Sequence, residues 1–484
     1  MNNRSKPFAL PGWINPVLLV LASLVFFAAF SNRFPSGDSL FHLGHRVTDP
    51  GSLLEALTGK TDIHYRPLSN NLACGLLYGF LGIGFTGLNI TAGLLHLLNA
   101  LLLYVLLVRI NLGRLPGLLA AFFFLTHYNV KQIIWGVAYF PELLMTLFFL
   151  GAFHALLSYL KKPRLRQAAL IAALVVAAFG CKETAIVLPV ILLVGYVCLN
   201  RPNFCLRDQA FLGLVILLFV LTAAHLTFLL SLDLGTFYAP YHLAWDPWLA
   251  AKNLVVYLQR IATSNEVLQW PGLFLLIGLI LAAFARRIRT ALLALFWIPA
   301  ALGPVLLMQT LGNWYLYLPL VGSSILMAAG LHSISAGGSG QSPIRYIYPA
   351  ACLLVLLAAG LNYSIPFREL TRSDPVSARR WKAYDRLREL CTRRNDVEWL
   401  YVLRNPSHPL FFETGQGGLF NVACGIPLDC VQFAETGARL AMHFRSDPSI
   451  LVVGMTKAGE VLSLIHISEP TRPLYISYAV FCLK

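Results

Sequence analysis

About eleven apolar stretches of near-membrane-spanning length run through the chain. They lie at 13–30, 88–108, 115–127, 142–160, 168–180, 185–200, 209–230, 270–285, 291–308, 315–331 and 347–361. About 20 apolar residues wound as a helix cross a hydrocarbon core of about 30 Å. Lipid offers no hydrogen bonds, so each backbone group must find its partner within the helix. The composition agrees: 57% of the 484 residues are hydrophobic and 12% are charged, outside the range of soluble domains. The net charge of +15, from 37 basic and 22 acidic residues, reads as basic anchoring of short loops rather than as a nucleic-acid surface. The expected fold class is an all-α polytopic membrane protein of about eleven transmembrane helices. Met1 to Phe8 has a basic flank and no small-residue cleavage site, so 13–30 reads as a retained helix rather than a removed leader.

The stretch 69–86 is apolar but broken by Gly75, Gly79, Gly82 and Gly84. It reads as a further span or as a re-entrant or interfacial segment, and the basic residues decide between these. If it does not cross, one side receives Arg4, Lys6, Arg109, Arg114, Lys161, Lys162, Arg164, Arg166, Arg201, Arg207, Arg286, Arg287, Arg289 and Arg345, nearly all in short loops. The other side receives Asp38, Asp49, Glu55, Asp62, Glu142, Glu183, Asp233, Asp246 and Glu266. That is the positive-inside pattern. It places the polar loop from Ser31 to Leu68 outside, together with 127–141, Lys182-Glu183, 231–268 and Asn313 to Pro319.

Beyond Pro366 the character changes. Arg379 to Arg394 is charged and helical in pattern, while Trp399 to Leu403 and Ile450 to Val453 read as strands. The expectation for 366–461 is a small extracytoplasmic α/β domain, incomplete at its end. Its Cys424 and Cys430 suit a disulfide in an oxidising compartment, and equally two buried thiols. The nine cysteines contain no CxxC pair and no zinc spacing. Leu462 to Lys484 reads as a translated sequencing-library adapter, LSLIHISEPTR followed by a short index and ISYAVFCL. These residues are set apart from the fold, and the natural chain is expected to continue beyond Val461.

Several polar residues stand where chemistry would need them. Asp38, in Pro35-Ser36-Gly37-Asp38-Ser39, suits a general base facing an external cavity. From residue type alone, an Asx turn or helix N-cap explains it better. His64-Tyr65-Arg66-Pro67-Leu68 leads into the broken segment, and Pro67 restricts Arg66 to a turn at the membrane surface. Arg66 presents a planar fork of donors for a phosphate, or simply anchors the interface. Lys182 and Glu183 read as a local salt bridge, or Lys182 as a point charge for a lipid phosphate. The aromatic run Trp314-Tyr315-Leu316-Tyr317 is ordinary for a membrane interface.

In order, Asp38, the HYRPL run, LNITAGLLHLLNALLLYVLL, His127, Pro141-Glu142-Leu143-Leu144, CKETAI from Cys181 and YLYLPLVG from Tyr315 resemble the GT-C membrane glycosyltransferases. The resemblance is to the protein O-mannosyltransferase-like branch and covers roughly 13–335. It implies a transmembrane catalytic domain over 1–365 and a polyprenyl-phosphate sugar donor. It also implies a protein, glycan or lipid acceptor on the extracytoplasmic face of a cell membrane. Transfer would be inverting, with Asp38 as the base. His64, Tyr65, Arg66, Lys182, Glu183, Tyr315 and Tyr317 would bind substrate. No DxD stands in the external loops, so neither metal nor cofactor is expected. The chain departs from the branch where Gln132 replaces an acid, Phe140 an arginine, and Asn313-Trp314 a Glu-Arg pair; Lys131 is a nearby basic substitute. The alternatives are a lipid-linked-sugar transporter or a non-catalytic scaffold of the same fold. Transporters often pair two broken segments across inverted halves, and 69–86 has no counterpart in the second half.

Overall fold

The computed structural model describes residues 14–28, 43, 51, 54, 57, 65–135, 137–200, 209–231, 244–262, 269–337, 348–357, 375–393, 399–403, 418–425, 431–434, 450–455 and 461–463. Helices occupy the apolar stretches read from the sequence. They are α1 (Ile14–Ala28), α2 (Pro67–Phe80), α3 (Phe85–Arg109), α4 (Arg114–Thr126), α5 (Phe140–Lys161), α6 (Leu165–Phe179), α7 (Leu188–Leu199), α8 (Gln209–Ser231), α9 (Pro247–Ala262), α10 (Gln269–Leu306), α11 (Tyr317–Gly337) and α12 (Tyr348–Leu357). By length and composition, 4 of the described helices can cross a membrane: Phe85–Arg109, Phe140–Lys161, Gln209–Leu229 and Asn313–Ala336. The expected spans 270–285 and 291–308 both lie in α10 and stay separate there, because the helix is kinked between them at Arg287 (φ −131°, ψ 39°).

The glycine-broken stretch folds as α2, a π-helix of 14 residues. At the α-helical rise of about 1.5 Å per residue it would span about 21 Å, short of a hydrocarbon core of about 30 Å. The wider π winding rises less than that. Its buried Ser69, Asn70 and Asn71 face protein, which fits the non-crossing reading. Gly82 turns the chain with φ 63° into α3.

The core centres on Trp297 of α10, which is fully buried. Its ring lies 4.9 Å from Phe149 and 4.8 Å from Phe153 of α5. Its indole N–H donates to the Leu318 carbonyl of α11 at 3.1 Å. One residue thus ties three helices together, with its polar atom satisfied as burial requires.

The two ends of the bundle differ in chemistry. At one end Arg109 donates to His154 (2.7 Å) and Ser158 (3.1 Å). There too Arg287 lies 2.6 Å from His332 and donates to the Asn111 carbonyl (3.2 Å), and Arg286 donates to the Ala336 carbonyl (2.9 Å). The carboxylates Glu142 and Glu183 sit at the opposite end, where α5 begins and α6 finishes.

Past the bundle come α13 (Pro375–Arg393), β1 (Trp399–Leu403), α14 (Gly418–Cys424), β2 (Val431–Ala434), β3 (Ile450–Met455) and β4 (Val461–Ser463). The strands form one sheet in the order β2-β1-β3-β4. β1 pairs in parallel with β2 and β3, and β4 runs antiparallel to β3 with Gly454 opposite Leu462. The expected helix and strands are therefore present. β4 runs two residues into the stretch set apart as adapter-like. The disulfide joins Cys391 to Cys424 rather than Cys424 to Cys430. It pins the end of α13 to α14, a partner thirty-three positions away that proximity in sequence does not suggest. Cys430 lies outside the described residues.

Candidate active site

The backbone between α6 and α7 sets up the site. Leu68 N–H donates to the Gly180 carbonyl (3.0 Å), and Ser69 Oγ to the Cys181 carbonyl (2.7 Å). These bonds stitch the start of α2 onto residues 180–181. Arg66 precedes Pro67 and stays out of the helix at φ −132°, ψ 60°, as a residue before proline must. Its guanidinium grips Glu183 with both arms: Nε to Oε1 at 3.0 Å and Nη2 to Oε2 at 2.8 Å. Burial pushes Arg66 toward losing its proton, and the Glu183 carboxylate more than offsets that.

Lys182 is extended (φ −161°, ψ 143°), so its side chain and that of Glu183 point to opposite sides. The adjacent pair therefore does not form the local salt bridge that its spacing suggests. Lys182 Nζ instead forms a buried ion pair with Glu142 at the start of α5. It also lies 4.8 Å from the centre of the Tyr315 ring, within cation–π range. Both ions are 4% exposed. Burial holds the Lys182 ammonium below the usual lysine range; Glu142 works against this and neighbouring Arg66 adds to it.

Glu142, Met145, Lys182, Thr184, Ala301, Trp314, Tyr315 and Leu318 line one small cleft. Next to Trp314 in sequence, Asn313 accepts through Oδ1 from Arg260 Nη1 at 2.9 Å. Arg260 sits near the end of α9, a helix capped by Asp246, whose Oδ1 accepts from Trp248 N–H at 2.8 Å. Two further bonds hold α9 to the 127–129 turn: His127 Nε2 to the Ile261 carbonyl (3.1 Å) and Asn129 Nδ2 to the Arg260 carbonyl (3.1 Å).

The structure thus brings Arg66, Lys182, Glu183 and Tyr315 together, and adds three residues not singled out as site residues from sequence. Glu142 was visible as the acid of Pro141-Glu142, but nothing local pairs it with Lys182. Asn313 was visible only as part of the Asn313-Trp314 departure from a Glu-Arg pair, and Arg260 carried no signal beyond residue type. Tyr65 is directed elsewhere, its hydroxyl donating to the Leu57 carbonyl (3.1 Å) and its ring against Phe228 (5.0 Å). Tyr317 is buried away from the cleft, its hydroxyl 2.7 Å from His96 Nδ1 and accepting from Asn99 Nδ2 at 3.1 Å. It is not among the residues lining the cleft, and it fixes the start of α11, two residues past Tyr315. Asp38 and His64, and the side chain of Lys131, lie outside the described residues.

Residues 67–228, about a third of the chain, match the family described as Dolichyl-phosphate-mannose-protein mannosyltransferase. No curated protein matches the chain. Among solved structures it is similar to ArnT from Cupriavidus metallidurans, described as bound to undecaprenyl phosphate. That likeness has 14% identity and a TM-score of 0.57, and covers 92% of this chain and 94% of that one. An oligosaccharyltransferase from Archaeoglobus fulgidus, described as tethered to an acceptor peptide, follows at 13% identity and a TM-score of 0.48. It covers 86% of this chain and 63% of that one. The chain has the fold of the GT-C membrane glycosyltransferases, and residues 67–228 resemble their protein O-mannosyltransferase branch.

Proposed function

We propose that the chain is a membrane glycosyltransferase that moves one sugar from a polyprenyl-phosphate donor to an extracytoplasmic protein, glycan or lipid acceptor. The observation that carries this reading is the buried Lys182–Glu142 pair at the edge of an aromatic cleft. A lysine kept charged in a low-dielectric wall stabilises a leaving phosphate far better than one in water. Arg66, aimed by Glu183, adds a second cation beside it. The fold is shared with a protein described as bound to undecaprenyl phosphate, and the family match supports a lipid-linked sugar as the donor class.

In this reading Asp38 takes the proton of the acceptor hydroxyl. The acceptor oxygen attacks the anomeric carbon opposite the phosphate, the bond from anomeric carbon to phosphate oxygen breaks, and the configuration inverts. Polyprenyl phosphate departs with its charge met by Lys182. The base must lie within about 2.6–3.2 Å of the hydroxyl, directly or through one water.

Sidedness supports the same reading. The arginine-rich end is cytoplasmic by the positive-inside rule, which puts the cleft outside. The Cys391–Cys424 bond suits an oxidising compartment. The test is turnover of radiolabelled polyprenyl-phosphate mannose, glucose or galactose in membranes. Wild type consumes one of these donors, and a well-expressed Asp38→Asn chain does not. Equal consumption by the variant removes Asp38 from the mechanism; donor that crosses the membrane intact marks a transporter instead.

A further inference from the structure

We infer that Trp314 is a stacking platform for a pyranose ring, so that the cleft reads the sugar and not only the phosphate. This rests on the glycosyltransferase reading above and deepens it.

Three observations converge. First, Trp314 is half-buried against protein: it lines the same cleft as the buried ions Lys182 and Glu142. Second, the ring is held in place. It lies 5.9 Å from Tyr139 and 5.4 Å from Tyr315, and its indole covers Gly312 so closely that a Cβ there would come within 2.5 Å of Cε2. Any residue but glycine would push the ring aside, so the turn reserves this space for it. Third, polar groups are close at hand. Glu142, Lys182 and Thr184 line the cleft with the indole, and the Asn313 carboxamide, next to Trp314 in sequence, is held by Arg260 at 2.9 Å.

An apolar ring face with a few fixed hydrogen-bonding groups at its edge is what a sugar needs. A pyranose presents C–H groups on its face and hydroxyls around its rim. The spacings suit a glycosyl phosphate: Lys182 Nζ lies 4.8 Å from the centre of the Tyr315 ring, and that ring lies 5.4 Å from Trp314. With phosphate at Lys182, the sugar attached to it falls toward Trp314. A sugar on the acceptor would offer the same chemistry.

The test is equilibrium binding to the full chain in lipid nanodiscs, using three probes: polyprenyl phosphate, polyprenyl-phosphate mannose and phosphate-free octyl mannoside. Trp314→Ala is expected to weaken the glycosylated lipid about tenfold, a typical loss for one aromatic stack. Bare polyprenyl phosphate should change by less than about twofold. Trp314→Phe keeps a π face and should retain most of the affinity, whereas Trp314→Leu, with bulk and no π face, should behave like alanine. Comparing probes within one variant cancels any loss of folded protein. A loss confined to octyl mannoside places the acceptor sugar on Trp314 and still supports the platform. Equal losses for bare and glycosylated lipid, or no loss with any sugar, overturn it. If wild type binds neither bare polyprenyl phosphate nor its mannose, glucose or galactose forms, the glycosyltransferase reading itself fails.

Discussion

At the residue scale, the exchange of partners between two neighbouring positions sets the chemistry. Lys182 pairs with Glu142 and Glu183 with Arg66, so two cations stand side by side, each charged by a carboxylate from a different element. Removing one member of a buried pair leaves the other desolvated and alone. Lys182→Met should therefore cost about 3–5 kcal/mol in detergent unfolding, while Lys182→Met with Glu142→Leu should return close to wild type. A single variant as stable as wild type would mean that the pair is not buried as described. The depressed lysine also predicts a pH effect. In the proposed reaction the protonated form meets the phosphate, and a lowered pKa loses that proton sooner as pH rises. Donor binding should therefore fall on an alkaline limb below the ordinary lysine value of 10.5. Lys182→Arg should move that limb upward, since guanidinium does not titrate there; an unmoved limb would assign it to another group. The sequence placed Arg66, Lys182 and Tyr315 at one end of the bundle through topology alone. It could not pair Lys182 with Glu142, forty positions away, because such a pairing leaves no local pattern.

At the element scale, most helices followed from apolar runs. Three features did not follow. The winding of α2 as a π-helix, the helix α9 inside the stretch read as the 231–268 loop, and the start of α11 set by Tyr317, His96 and Asn99 depend on tertiary contacts that periodicity does not encode. Helix packing gives a sharp test. A Cβ on Gly330 of α11 would lie 2.6 Å from the Leu279 backbone oxygen of α10, and backbone cannot step aside as a side chain can. Small residues at such crossings let membrane helices approach. Gly330→Ala should therefore destabilise by about 1–3 kcal/mol or more. Gly213→Ala on α8, with nothing within 4 Å, should fall within about 0.5 kcal/mol of wild type. Thermal unfolding of both purified variants checks the pair, and equal behaviour would contradict the close approach.

At the scale of the whole molecule, charge and covalent chemistry mark the two sides. The C-terminal unit meets the bundle where α3 begins: Trp381 and Tyr384 of α13 lie 5.7 Å and 5.3 Å from Phe85. That is the end of the cleft and opposite the end of Arg109 and Arg287. A disulfide in this unit and arginines at the far end are two independent indications of the same orientation. On intact cells, a membrane-impermeant reductant followed by an impermeant maleimide should label Cys391 and Cys424. Labelling only after permeabilisation would invert the topology. The positive-inside distribution was readable from sequence; the docking of α13 on Phe85 was not, because the sequence between them gives no hint of return. The measurement that tests the account most directly is consumption of radiolabelled polyprenyl-phosphate sugar by the Lys182→Met, Glu142→Leu chain. The account predicts a folded protein of near wild-type stability that no longer turns donor over. Wild-type turnover by that chain would contradict it.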